Sequence, residues 1–80
     1  MHVFLIEDGE RHWVVAEDEV DARAVYREAM GPPEAQQSIT RMDATEVVKI
    51  NDHDDGKLIS KTCAEWIKQE GRGLLASSVF

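Results

Sequence analysis

The sequence predicts an α+β domain, an antiparallel sheet packed with two helices in the order ββα-ββ-α, and three observations carry that prediction. Val3-Phe4-Leu5-Ile6 and Trp13-Val14-Val15-Ala16 are apolar runs of strand length on either side of Glu7-Asp8-Gly9-Glu10. Ala22, Val25, Tyr26, Ala29 and Met30 recur at the i, i+3, i+4, i+7, i+8 spacing of one helix face. Ser38–Met42 and Glu46–Ile50 alternate as half-buried strands do. Eighty residues leave room for a single domain, 1–80.

Each element has a local cause. Asp-Gly is the preferred pair for a two-residue hairpin turn, so Asp8-Gly9 is expected to set Phe4 opposite Trp13 and Leu5 opposite His12. In that register both faces of the hairpin are apolar. One face should pack on helices, the other being partly covered or kept for a partner. Asp18 can cap the following helix, with Glu19 and Asp21 in its first turn beside the positive end of the helix dipole. Gly31-Pro32-Pro33 ends it. Asn51 to Gly56 reads as an exposed turn returning into Lys57-Leu58-Ile59. Thr62 and Glu65 match a capping box. Cys63, Trp66 and Ile67 then form the buried side of a short helix closed by Gly71. Leu74–Phe80 makes a last strand or an extended tail.

Charge is distributed unevenly along this frame. Residues 1–21 hold Glu7, Asp8, Glu10, Glu17, Asp18, Glu19 and Asp21 against Arg11 alone, a net of −6. Residues 43–55 hold Asp43, Glu46, Asp52, Asp54 and Asp55 against Lys49, a net of −4, and the rest sums to +3, giving −7 overall. Acidity of this kind repels nucleic acid and attracts basic protein surfaces. It also keeps a small protein in solution.

Other constellations carry less. Asn51, His53, Asp55 and Gly56 sit at the first, third, fifth and sixth places of a calcium loop, but His53 is a poor ligand for a hard cation. The twelfth place is Thr62 where a bidentate Glu is needed. Structural zinc needs four convergent ligands. Under the Asp8-Gly9 register His2 and His12 face opposite ways, with His53 in a distant loop. Cys63 has no neighbouring base in the sequence and reads as a buried packing residue. Ser38, Ser77 and Ser78 stand in no nucleophile elbow, and Gly71-Arg72-Gly73 is too short for a phosphate fingerprint. A lone cysteine, an acidic start and apolar runs far shorter than a bilayer span point to a reducing interior and no membrane.

Several stretches carry a resemblance: the Asp-Gly turn with His12–Asp18, the helix Asp21–Glu28, Lys61–Trp66 and Glu70–Ser78. Together they resemble small proteins encoded by bacteriophages and prophages, blurring between Pro32 and Asp55. Some phage proteins of this size and acidity are anti-CRISPR inhibitors. This chain looks like one directed at a type I (Cascade) effector, with subtype I-C as the candidate. The resemblance implies a non-enzymatic, DNA-mimic-like inhibitor in the cytoplasm of the host bacterium, without cofactor, metal or direct nucleic-acid contact. It would act as a monomer or weak homodimer.

The expected contact residues are Glu7, Asp8 and Glu10 at one hairpin tip, helped by Glu17, Asp18, Glu19 and Asp21. Asp52, Asp54 and Asp55 form a second acidic tip. Two other readings stand beside this one. One is a phage-encoded modulator of another host protein, contacting it through the apolar second hairpin face. The other is a metal protein or enzyme built on His2, His12, His53 and Cys63.

Overall fold

The computed structural model describes residues 1–32, 37–51 and 56–79. Within them the elements are β1 (His2–Glu7), β2 (Glu10–Ala16), α1 (Glu19–Met30), β3 (Ser38–Arg41), β4 (Val47–Asn51), β5 (Leu58–Thr62), α2 (Cys63–Glu70) and β6 (Gly73–Val79). The β1–β2 hairpin is the centre of a four-stranded antiparallel sheet in the order β3-β1-β2-β6. β4 and β5 pair antiparallel as a separate two-stranded sheet. The chain is therefore α+β with antiparallel sheets and two helices, and Leu74–Val79 is strand.

The hairpin register differs by one residue from the expected one. Phe4 lies opposite Val14, Leu5 opposite Trp13, Ile6 opposite His12 and Glu7 opposite Arg11. A two-residue turn on Asp8-Gly9 needs positive φ at both positions, whereas here only Gly9 has it, at 101°. Asp8, Gly9 and Glu10 instead close the hairpin together: Asp8 N–H donates to the Glu10 carbonyl at 3.1 Å and Glu10 N–H donates to Asp8 Oδ1 at 3.3 Å. Residues opposite each other share a face. His2 and His12 consequently lie on the same side of the hairpin, contrary to the expectation.

Each face of the hairpin is buried in its own cluster. Phe4, Ile6, Val14 and Ala16 pack against Ala22, Val25 and Tyr26 of α1, with Ile39 alongside. On the opposite face Val3 and Val15 pack against Val48 of β4 and against Cys63 and Trp66 of α2. The result is three layers: α1, the four-stranded sheet, and α2 with the β4–β5 pair. The second apolar face is thus covered rather than kept for a partner, with Val3 and Val15 both 0% exposed.

The helix ends follow local chemistry. Asp18 caps α1 by accepting from Asp21 N–H at 2.8 Å, and Gly31 closes it. The expected stripe is buried only through Tyr26. Ala29 and Met30 are exposed, so the last turn runs past its packing surface. In α2 the capping box is complete, Glu65 N–H donating to Thr62 Oγ1 at 3.2 Å and Thr62 N–H to Glu65 Oε1 at 3.3 Å. Trp66, beneath the Lys61 ammonium, donates from Nε1 to the Val48 carbonyl at 3.0 Å and ties α2 to β4.

β6 joins the sheet through β2 with one irregularity. Trp13 faces Ala76 while Val14 faces Leu74, leaving Leu75 as the extra residue of a bulge. Leu75 packs into the α2-side cluster. The turn expected over Asn51–Gly56 lies largely outside the described residues.

Trp66 carries both packing and a hydrogen bond for the α2-side cluster. Trp66→Ala is expected to cost about 3–5 kcal/mol, the range for removing a large buried aromatic side chain. Urea unfolding followed by far-UV circular dichroism measures this, and a loss below about 1 kcal/mol, as at ordinary surface positions, would show that α2 is not integral to the fold.

Candidate functional site

The polar residues of the hairpin end form the most organised cluster in the molecule. Asp8 begins the turn, His12 lies on β2 facing α1, Tyr26 comes from α1 and Ser77 from β6. His12 is 1% exposed, the only buried polar residue among the described ones. Its Nδ1 lies 2.7 Å from Ser77 Oγ and its Nε2 lies 3.2 Å from Asp8 Oδ1. The Tyr26 hydroxyl donates to Asp8 Oδ2. The two rings meet edge to face with centroids 5.1 Å apart.

These contacts assign the protons. The Tyr26 hydroxyl holds the Asp8 carboxyl below its ordinary range, against burial and with help from the Glu10 amide and His12. An ionised carboxylate only accepts, so His12 Nε2 must carry a proton. In the neutral ring Nδ1 then accepts from the Ser77 hydroxyl. The same carboxylate and burial push the Tyr26 phenol upward. Both ring nitrogens of the buried His12 are paired, as burial demands. Beside the cluster, Gln37 Nε2 is buried with no hydrogen-bond partner among the described residues.

Hydroxyl, imidazole and carboxylate in a row have the connectivity of a nucleophile relay. Such a relay works only if the imidazole passes the nucleophile's proton on to a leaving group. The His12 ring is 1% exposed and covered by Tyr26, which leaves no approach for a leaving group, so the row fits a fastening role instead. The cluster locks the hairpin end to α1 and β6.

Around that lock the acidic residues divide. Glu7 and Glu10 flank it, Glu7 standing opposite Arg11 in the hairpin ladder. Glu10 is the outer one, its side chain 46% exposed and 3.7 Å from His12 Nε2. Asp8, by contrast, faces inward with its side chain 11% exposed, so its role is to position rather than to touch a partner. Sequence reasoning placed Asp8 among the contacts because pairing with His12, Tyr26 and Ser77 depends on tertiary structure. His12 and Ser77 were missed for the same reason. A histidine inside an apolar strand run was the one available signal.

Glu17, Asp18, Glu19 and Asp21 lie beyond the other end of β2, the nearest of them seven residues from Glu10 and about 23 Å away at strand rise. The structure does not bring them to the hairpin end. Asp18 is the cap of α1. Glu19 pairs with Arg23 at 2.8 Å on an exposed helix face. Asp21 is gripped in fork geometry by Arg72, whose Nη2 lies 2.8 Å and Nε 3.0–3.1 Å from its carboxylate oxygens. Arg72 holds the Asp21 carboxyl below its ordinary range. Glu17 remains, in a shallow groove it shares with His2, Phe4, Asp18, Glu19 and Arg41. Arg41 makes that end mixed in sign.

The second acidic stretch is only partly visible. Asp43 forms a side-chain turn, accepting from Thr45 N–H at 3.0 Å and Thr45 Oγ1 at 2.9 Å. Glu46 caps back onto Asp43 N–H at 3.3 Å. Asp52, Asp54 and Asp55 lie outside the described residues, as does His53. Cys63 is buried, and burial pushes its thiol upward. Among the described residues no three His, Cys, Asp or Glu side chains are grouped to hold a metal ion. No helix among them is long and apolar enough to cross a membrane.

Comparison with protein-family models, with curated proteins and with solved structures gives no match.

The lock makes stability depend on pH at both ends. Asp8, lowered in the fold, contributes stability that is present above about pH 4 and lost as pH falls through its folded value. Tyr26, raised in the fold, contributes stability that is present below about pH 10 and lost as pH rises through its folded value. Tyr26→Phe should cost about 1.5–3 kcal/mol near neutrality, as for a hydrogen bond to a charged group. It should also flatten both limbs of the stability–pH profile. Urea titrations across pH check this, and limbs as steep in Tyr26→Phe as in the parent chain would rule the lock out.

Proposed function

We propose that this chain is a non-enzymatic binding protein that presents its acidic hairpin end to a basic, nucleic-acid-binding groove of a host protein complex. The observation that carries the reading is the division of labour at that end. Asp8 is turned inward and fixed by His12 and Tyr26, while Glu7 and Glu10 stand on either side of it, Glu10 with its side chain 46% exposed. Carboxylates held on a fastened turn meet a cationic groove with little loss of conformational freedom. They would take the place of DNA phosphates, using the charge neutralisation that draws proteins to DNA.

The identity of the partner rests on the sequence resemblance to small acidic phage proteins. On that ground the groove belongs to a type I CRISPR surveillance complex (Cascade), the chain acts in the bacterial cytoplasm, and the outcome is exclusion of target DNA. The competing contact, the apolar second hairpin face, is already occupied by Val48, Cys63 and Trp66.

The test is charge reversal that spares the lock. Glu7→Lys with Glu10→Lys should weaken capture of the complex from CRISPR-bearing lysate by about tenfold or more and reduce its salt dependence. Asp8 stays in place because its loss would unfasten the turn. Target DNA should compete with the parent chain for the captured complex. Undiminished, salt-insensitive capture by the double variant, or binding indifferent to DNA, would refute the acidic contact.

A further inference from the structure

We propose that His12 is a proton-operated latch on Glu10. When the enclosed ring takes up a second proton it draws the Glu10 carboxylate against itself, and when the ring is neutral that carboxylate swings out to solvent. The consequence for a partner rests on the acidic contact proposed above, of which Glu10 is part.

A buried imidazole accommodates a second proton only where an acceptor stands at each nitrogen. His12 meets that requirement. Its Nε2 lies 3.2 Å from Asp8 Oδ1, an acceptor whether the ring is neutral or charged. Its Nδ1 lies 2.7 Å from Ser77 Oγ, and a hydroxyl can donate or accept. Ser77 is exposed on β6, so its own proton can turn to water when Nδ1 becomes a donor. The same hydroxyl joins the enclosed ring to solvent and gives the second proton a way in.

Charge decides what that proton does. The groups facing the ring come from the turn and four elements. Asp8 in the turn and Glu10 on β2 bring carboxylates, Glu10 Oε2 lying 3.7 Å from Nε2. The Tyr26 phenol of α1 meets the ring edge to face, Ser77 comes from β6, and β1 sets the apolar Ile6 opposite. With the ring neutral, two like charges converge on one nitrogen and repel. Asp8 is held by the Tyr26 hydroxyl, so the partly exposed Glu10 is the one that swings away. A second ring proton sets a cation beside both carboxylates, and Glu10 is then attracted. Imidazole is the side chain whose charge changes between pH 5 and 8, so the latch closes as pH falls through that range and opens above it. The coupling is reciprocal: if the ring's charge draws Glu10 in, loss of the Glu10 charge makes the ring harder to protonate.

Nuclear magnetic resonance of the isotope-labelled full chain between about pH 5 and pH 8 tests the latch without any partner, so its failure and that of the capture experiment are separate results. The Glu10 carboxyl carbon, and the Overhauser contacts between its methylene protons and the ring, should change with the same midpoint as the His12 ring nitrogens. Glu10→Gln should lower that midpoint by about half a pH unit or more, roughly threefold in proton affinity, as for loss of a nearby opposite charge at a partly exposed site. Ser77→Ala, which removes the acceptor at Nδ1, should lower it as well. Glu17→Gln, beyond the far end of β2, should leave it in place. A ring that takes up no second proton in this range overturns the proposal, as does a Glu10 carboxyl indifferent to the ring's titration. So does a midpoint unmoved by Glu10→Gln or by Ser77→Ala, or one moved as far by Glu17→Gln. Loss of the folded circular dichroism of the parent chain before the ring is protonated overturns it too.

Discussion

Both clusters of the fold are fastened to the same two strands, so the register of β1 against β2 governs everything packed on them. In most antiparallel pairs one face meets water and a slip of one residue exposes the core. Here the even-numbered face meets α1 and the odd-numbered face meets α2 and β4. A slip would exchange the two sets of side chains on one strand only, setting Phe4 and Ile6 against the residues that now belong to the other cluster. Neither side could then close. The turn at Asp8-Gly9-Glu10 is what holds the register, and the hydrogen bonds of Asp8 hold the turn.

That turn is completed from a distance. Asp8 and His12 are neighbours along the hairpin, but Tyr26 arrives with α1 and Ser77 with β6, 65 residues from His12. An isolated hairpin would leave His12 in water and Asp8 free to rotate. Only the assembled sheet encloses the imidazole and supplies a partner for each nitrogen. Buried polar groups carry a desolvation cost that partners must offset. The cluster therefore discriminates between the correct strand order and alternatives in which β6 pairs elsewhere.

Element existence was legible in the sequence because it depends on local chemistry. The Thr62–Glu65 capping box, the Asp18 cap and the Gly31 and Gly71 stops are where their residue types place them. The turn geometry was not legible, because Asp-Gly serves both two-residue and longer closures and the choice depends on what Asp8 bonds. Acidity was legible as a total and misleading as a map. Asp8 and Asp21 looked like surface charge, yet they are a lock and the anchor for Arg72. Partners 18 and 51 residues away, Tyr26 and Arg72, cannot be read from the neighbourhood of either aspartate.

Separating consumed from unconsumed carboxylates changes what the acidity can do at a surface. The Glu19–Arg23 and Asp21–Arg72 pairs cancel locally and contribute little to the field a partner meets. The residual field belongs to side chains such as Glu7, Glu10 and Glu17. Glu10 begins β2 and Glu17 follows its last residue, about 23 Å away by strand rise. That spacing exceeds the screening length of about 8 Å at physiological ionic strength. The two ends consequently act as separate patches, and the end that includes Glu17 is moderated by Arg41. A basic groove approaching the molecule is drawn first to the hairpin end, where Glu7 and Glu10 outnumber Arg11 and the backbone beneath them is fastened.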